Sequence, residues 1–258
     1  MRIATWNVNG LRARFDFFAH WLAAREPDVV CLQELKLEDE QFPHEELSKL
    51  GYRAVTHGQK AWNGVAVVSR HAVEPVATGL PGQESVGARL VTARVGKLAV
   101  TSVYVPNGKT TAHEDYPGKL AWLDALAAHW REHADPNEPA ILAGDFNVCP
   151  APIDSWNEEK FAGSIFHTVE ERERIAALRE LGLRDAYRSL HPEDPGFSWW
   201  DYRMGAFHRG FGLRIDLVFA SDAVHLREAR VDRDYRKKKE GLTASDHAPV
   251  IVEIDDVG

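Results

Sequence analysis

Nine short apolar runs, each five to eight residues long and rich in Val, Ile, Leu and Thr, recur along this chain. They are Ile3–Val8, Val29–Gln33, Tyr52–Thr56, Val65–Ser69, Leu90–Val95, Leu98–Val105, Ala140–Gly144, Leu213–Ala220 and Val250–Ile254. Runs of this length and composition read as strands buried on one or both faces. Helical spacing is rarer. Phe15, Phe18, Trp21 and Leu22 show it between Leu11 and Arg25, as do Leu120, Trp122, Leu123 and Leu126, and then Ile175, Leu178 and Leu181 ahead of Gly182. Some strands follow one another closely enough for hairpins, and others are separated by a helix. The pattern predicts an α/β protein with mixed sheets and helices outside, in one domain over residues 1–258. A chain of 258 residues buries roughly 70–75% of its unfolded surface, so no disulfide or metal staple is required. Its two cysteines, Cys31 and Cys149, lie in apolar runs and are expected as buried, reduced thiols.

The strands end in an unusual way. Trp6-Asn7-Val8-Asn9, Leu32-Gln33-Glu34, Tyr104-Val105-Pro106-Asn107, Gly144-Asp145-Phe146-Asn147 and Ile215-Asp216 each carry an apolar run straight into acidic or amide residues. Ser245-Asp246-His247 directly precedes the last run. Ligands and catalytic groups of α/β sheets gather outside strand ends, so the placement itself is informative. Taken singly, each residue has a plainer reading. Asn7, Asn9 and Asn147 suit turns, Glu34 suits a solvated rim, and His247 suits a buried or capping role.

Together the residues suit metal-assisted hydrolysis of a phosphodiester. Glu34 with Asn7 or Asp246 offers oxygen ligands, and Asp145, Asn147 and His247 complete the set from which a cation would draw. Hard oxygen donors favour Mg²⁺, with Mn²⁺ as an alternative. Asp145 can activate water or assist the leaving group, and His247 can donate to a phosphoryl oxygen or act as a base. Asp216 suits a partner that orients the His247 imidazole. Tyr104 and Asn147 are neutral donors fit for transition-state oxygens.

In this order the motifs closely resemble the exonuclease III family of DNA-repair nucleases, within the endonuclease/exonuclease/phosphatase superfamily. The resemblance runs nearly end to end, through RIATWNVNGLRAR, DVVCLQELK, NGVAVVSR, VYVPNG, ILAGDFNV, FSWWDYR, GLRIDLVFAS and SDHAPV. It implies a four-layered, DNase I-like α/β sandwich of two packed mixed sheets flanked by helices. It implies metal-site roles for Asn7 and Glu34 with Asp246 nearby, and phosphate contacts for Tyr104 and Asn107. Asp145 would handle the proton, Asn147 would stabilise the transition state, and Asp216 and His247 would form a pair. Trp199, Leu213 and Ile215 would form an apolar pocket for a flipped abasic sugar, whereas Trp200 reads as core. The implied activity is cleavage of duplex DNA 5′ to abasic sites, removal of nucleotides and blocking groups from 3′ ends, or both.

Two positions shape the expectation further. Relatives often carry small or amide residues beside the pocket, where this chain reads WNEEKFAGSIFH from Trp156 to His167. Phe166 or His167 would narrow the pocket and weaken abasic incision relative to 3′-end trimming. Some relatives carry Asp where this chain has Asn9, and the lost charge would weaken metal binding.

The net charge of −8, from 31 Lys and Arg against 39 Asp and Glu, excludes a protein that coats nucleic acid by bulk charge. It does not exclude local contact. Residues 203–239 hold ten Lys and Arg against five Asp and Glu, including the run Arg233, Arg236, Lys237, Lys238 and Lys239. Such a run is commonly a solvated face, and its place just before Ser245-Asp246-His247 also suits a DNA backbone contact. The expected partner is duplex DNA with abasic sites or 3′ ends, met by a monomer without a membrane. The N-terminus lacks a signal-like apolar segment and no stretch reaches the ~18 apolar residues of a span, so a cytoplasmic location is expected. Two rivals remain: a phosphodiesterase or phosphatase acting on RNA, inositol phosphates or phospholipids, and a DNA-binding module without catalysis.

Overall fold

The computed structural model describes residues 1–135 and 137–257. Its strands are β1 (Arg2–Asn7), β2 (Val29–Gln33), β3 (Arg53–His57), β4 (Val65–Ser69), β5 (Glu74–Thr78), β6 (Leu90–Val95), β7 (Leu98–Tyr104), β8 (Ala140–Asp145), β9 (Leu183–Asp185), β10 (Trp199–Trp200), β11 (Gly212–Leu213), β12 (Asp216–Ser221), β13 (Leu226–Val231) and β14 (Val250–Ile254). The helices are α1 (Leu11–Arg25), α2 (His44–Lys49), α3 (Asp115–His133), α4 (Glu158–Phe161), α5 (Val169–Glu180), α6 (Ala186–Leu190) and α7 (Ala206–Arg209).

Two six-stranded mixed sheets form, in the orders β13-β14-β1-β2-β4-β3 and β5-β6-β7-β8-β12-β9. β1–β2 and β7–β8 are the parallel pairs at their centres. β1 and β2 pack face to face on β7 and β8. The two-residue side-chain period decides what enters this interface. Ile3, Val29, Val100, Ile141 and Ala220 face it, while Ala4, Leu32, Leu142 and Phe219 face outward. On the outer side of the first sheet, α1 lays down Leu11, Phe17, Phe18, Trp21 and Leu22, and the Trp6 ring lies 5.4 Å from that of Trp21. On the second sheet, Trp122, Leu123 and Leu126 of α3 pack with Ile175 and Leu178 of α5. The four-layered arrangement expected from the sequence is the one observed.

The inner faces become polar towards one edge. Along β1 the inward series is Ile3, Thr5, Asn7, and along β2 it is Val29, Cys31, Gln33; on β8 it is Ile141, Ala143, Asp145. Gln33 Nε2 donates to Thr5 Oγ1 at 3.1 Å and to Ser102 Oγ at 3.1 Å, joining the sheets where apolar packing gives out. Beyond that layer lie the candidate site residues. Both cysteines are buried, and burial pushes the Cys31 thiol up to about 12. No helix among the described residues is long and apolar enough to cross a membrane.

Two expectations change. The run Leu213–Ala220 is broken, because Leu213 pairs with Trp199 in a separate two-stranded ribbon while β12 begins only at Asp216. Between them the Arg214 side chain turns inward to Asp154 and Asp185. Asp216 therefore starts its strand rather than ending one. It still joins the others because β12 runs antiparallel to β8, which pairs Asp216 with Asp145.

Candidate active site

The pleat delivers three inward side chains side by side: Tyr104, Asp145 and Asp216 occupy paired positions on β7, β8 and β12. From the facing sheet Asn7 enters at the end of β1, and Glu34 follows β2 in a left-handed conformation (φ 52°) that turns it towards the same edge. The Ser245–His247 loop closes the side.

At the centre, Asn7 Nδ2 donates to Glu34 Oε1 at 2.8 Å and to Asp145 Oδ2 at 2.9 Å. Its Oδ1 accepts from the Asn9 N–H at 2.9 Å, which fixes the amide's orientation. Asn7 thus bridges Glu34 and Asp145, the two carboxylates nearest to it. Tyr104 Oη donates to Glu34 Oε1 at 3.0 Å. Burial opposes the charge on Glu34, but the Asn7 amide and the Lys36 ammonium, 3.0 Å from Oε2, more than offset it and lower the pKa. Burial and the Glu34 and Asp145 charges raise Tyr104 well above its ordinary range, so it is a donor and not a phenolate.

His247 Nδ1 lies 2.9 Å from Asp216 Oδ2, and its Nε2 lies 3.8 Å from Asp145 Oδ2. Ser198 Oγ donates to Asp216 Oδ2 at 2.6 Å and fixes that carboxylate. Burial alone would depress the imidazole, but Asp216, Asp145 and Asp246 overcome it and hold His247 up at about 10. A protonated ring has no lone pair to share, so in the metal-free protein His247 is a donor at both ring nitrogens. Desolvation, reinforced by Asp216 and opposed by His247, pushes Asp145 up to about 7. Asn147 Oδ1 accepts from Asn107 Nδ2 at 3.3 Å and its Nδ2 donates to the Val105 carbonyl at 3.0 Å, so both ends of this amide are engaged within the protein. Its N–H donates to Asp145 Oδ1 at 2.9 Å.

The imidazolium makes a pH effect measurable. Its folded-state pKa is raised above 6.5. The stability it contributes is therefore fully present below that pH and is lost as pH rises through about 10. In chelator-treated protein the melting temperature is expected to fall from pH 7 to 10, and His247→Asn to flatten that slope. Parallel slopes for the two proteins would contradict the assignment.

Asp246 forms an outer rim. Its Oδ1 accepts from Asn9 Nδ2 and its Oδ2 from Trp199 Nε1, each at 3.0 Å, while Lys36 Nζ donates to Asn9 Oδ1 at 2.7 Å. Burial opposes its charge, and protonated His247 with these two donors lowers its pKa. Leu213 and Ile215 pack with Cys149 in a small apolar cluster, against which Trp156, Phe166 and Trp199 lie. Trp200, fully buried beside Phe207, is core as expected. The two residues expected near the pocket diverge. Phe166 joins the cluster in a left-handed conformation (φ 72°), whereas His167 is held by Ser155 Oγ and the Ile165 carbonyl, each at 3.0 Å, and stacks on Phe161.

The basic run also divides. Arg236 is buried and donates to the Asp246 carbonyl at 2.9 Å and the Trp200 carbonyl at 3.0 Å, bracing the loop that carries His247. Lys237 and Lys239 pair with Asp234, and Lys237 and Lys238 are exposed. Lys119 was missed altogether: it lies wholly buried beneath Asn147. The chain's His-x-x-x-His pair, His129 and His133, stacks at 4.4 Å on α3 and lines a different groove, with Val76, Leu90 and Thr92.

A residue group that could hold a metal ion includes Asp145, Asp216 and His247, whose ligand atoms lie within 4.8 Å of one another. The charge distribution favours a neighbouring seat. Glu34 and Asp145 present two carboxylates to one amide nitrogen, a hard-oxygen arrangement suited to a divalent cation.

Comparison with known proteins agrees with this geometry. The chain is 33% identical to an exodeoxyribonuclease III from Haemophilus influenzae over 98% of this chain and 99% of that one. It is similar in structure to an AP endonuclease from Archaeoglobus fulgidus, with a TM-score of 0.94 and 33% identity over 99% of this chain and 100% of that one. It is also similar to the 3′-5′ exonuclease NExo from Neisseria meningitidis, with a TM-score of 0.94 and 38% identity over 99% of this chain and 100% of that one. Residues 4–247 match the family described as Endonuclease/Exonuclease/phosphatase, and with the inward polar edge and its aspartate–histidine pair the conclusion is direct: the chain belongs to that family, among its exodeoxyribonuclease III-like nucleases.

Proposed function

We propose that this protein is a DNA-repair nuclease that acts chiefly at 3′ ends, hydrolysing terminal phosphodiester bonds and 3′-phosphate monoesters, with Mg²⁺ as its cofactor. Relatives named as an AP endonuclease and a 3′-5′ exonuclease, and a Neisseria 3′ phosphatase bound to a product DNA hairpin, support DNA as the substrate. Glu34 and Asp145 would hold the cation, with Asp246 at the rim. When bound, a divalent cation supplies Lewis-acid polarisation of the phosphate and offsets its growing charge. Asp145, its carboxylate aligned by Asn7 and Asn147, moves the proton of the attacking water or leaving group. His247, charged through Asp216, directs its free Nε2–H at a phosphoryl oxygen. Asn107 and the second N–H of Asn147 are neutral donors to the same group, and Tyr104 can exchange its bond to Glu34 for one to phosphate.

The observation that carries the 3′-end reading is Phe166. A bulky residue with φ of 72° costs on the order of 1–3 kcal/mol, yet here it is held against Leu213 and Ile215, the walls expected to enclose a flipped sugar. An aromatic ring packs against those walls and would narrow the space between them. A 3′ terminal nucleotide or phosphate reaches Asp145 without entering it. With Mg²⁺, duplexes carrying a 3′-phosphate or an intact recessed 3′ end should be processed ~10-fold or more faster than a duplex with an internal abasic site. Phe166→Gly should raise abasic incision. Faster incision of the abasic duplex by the unmodified protein would sink this preference, and preferential attack on an inositol polyphosphate would sink the DNA reading.

A further inference from the structure

Asn107, Asn147 and Phe166 arrive at the site from three separate loops, yet one buried ion pair touches all three. Lys119, in the first turns of α3, and Glu171, in the first turn of α5, have wholly buried side chains and form a salt bridge. The Lys119 ammonium has three N–H donors, and each has an acceptor: a Glu171 carboxylate oxygen, the Asn147 carbonyl at 2.6 Å and the Asn107 carbonyl at 3.3 Å. Glu171 Oε1 also accepts from the Phe166 N–H at 3.1 Å, and its Oε2 accepts from the Thr168 N–H at 3.1 Å and hydroxyl at 2.8 Å.

The packing is as close as the hydrogen bonding. Gly108 (φ 80°) has no side chain to interpose, since a Cβ there would stand 3.0 Å from both Lys119 Cδ and Ile165 Cδ1. The Asn107–Gly108 turn therefore rests directly on the lysine stem. The ammonium also lies 4.7 Å from the centroid of the Phe166 ring. Asn147 adopts a left-handed conformation (φ 50°), and the carbonyl that Lys119 holds belongs to that residue.

We infer that Lys119 and Glu171 are a positioning pair for this site: together they set the backbone of Asn107 and Asn147, and hence the aim of both amides, while anchoring Phe166 in the pocket. The inference rests on the nuclease reading for its kinetic consequence but not for its structural one. Neither residue touches substrate. Losing the anchor misplaces donors that must meet a transition state, an error to which turnover is steeply sensitive.

The test compares Lys119→Met, Glu171→Gln and the double variant Lys119→Met/Glu171→Leu, by kcat on a 3′-phosphorylated duplex, by melting temperature, and by amide hydrogen exchange. Removing both charges leaves no unpaired buried ion, so the double variant should melt above Lys119→Met, though the carbonyls and N–H groups the pair had held lose their partners. It should not regain turnover: kcat is expected to stay about 30-fold or more below the unmodified protein, and Glu171→Gln to lose about 10-fold. Exchange should rise at residues 105–109 and 146–149 in all three, and not in β1 or β2. Recovery of kcat together with melting temperature in the double variant would overturn the inference, leaving the pair a stabiliser only. So would unchanged exchange and kcat in Glu171→Gln, which tests the point even if the other two do not fold. Absence of cleavage of any DNA by the unmodified protein would instead overturn the nuclease reading, with the exchange pattern still deciding the role of the pair.

Discussion

Asp145→Asn and His247→Asn are each expected to lower kcat for DNA cleavage by about 10³-fold or more, the combined scale of a lost proton-transfer group and a lost charged donor. The two act through one arrangement, Asp216–His247–Asp145, with contacts of 2.9 and 3.8 Å, so the double substitution should cost little more than either alone. DNA binding should persist, because neither substitution removes an exposed basic side chain. The stability effect should have the opposite sign for Asp145. Its carboxyl, pushed up to about 7, is buried beside Asp216 and Glu34, so its charged form strains the metal-free protein. At pH 8, metal-free Asp145→Asn should melt no lower than the unmodified protein, as at sites where function is held against stability. Cleavage within ~10-fold of the unmodified rate in either variant would refute these roles.

Arg214→Met is expected to be the most destabilising single change, by about 3–5 kcal/mol. Arg214 is almost wholly buried, and its guanidinium donates to Asp154 Oδ1 at 2.6 Å and in a fork to both oxygens of Asp185 at 3.0 and 2.8 Å. Methionine fills the volume but leaves Asp185 without its fork and Asp154 with Arg188 as its remaining ionic partner. In a chain of this size, that loss lowers the melting temperature by roughly 10 °C. Arg214→Lys should fall between, keeping the charge but not the planar fork. A shift under ~2 °C for Arg214→Met would show that these carboxylates find other partners.

The strands and sites that sequence revealed share one trait: their residue types alternate with their surroundings. Val29–Gln33 and Val65–Ser69 lie where the apolar pattern put them because both are buried throughout. β5 and β13 were overlooked because they are edge strands whose short apolar content is broken by Glu and Pro in β5 and by Arg and Glu in β13. The polar residues at strand ends were visible because they interrupt apolar runs. Lys119 and Glu171 were not, since a lysine and a glutamate in polar helix starts look like solvated side chains until α3 and α5 are packed together. Arg236 was hidden likewise, inside a basic run whose neighbours do face solvent. Asn7 shows a subtler limit: its position was legible, but which end of its amide faces Glu34 depends on the N–H of Asn9, which only the fold supplies.

The polar edge has a consequence for how such an enzyme fails. Asn7 and Glu34 come from one sheet, Tyr104, Asp145 and Asp216 from the other, and the layers between them are mostly apolar side chains, with polar ties such as those of Ser102 Oγ to Gln33 and to the Leu32 carbonyl. Neither sheet alone owns a working centre. Turnover is therefore a gauge of how two plates are clamped: a slip of an ångström between them separates Asp145 from the Asn7 that aligns it, while every strand ladder stays intact. Heat or a cavity in the shared layer should silence the enzyme before its backbone signal changes.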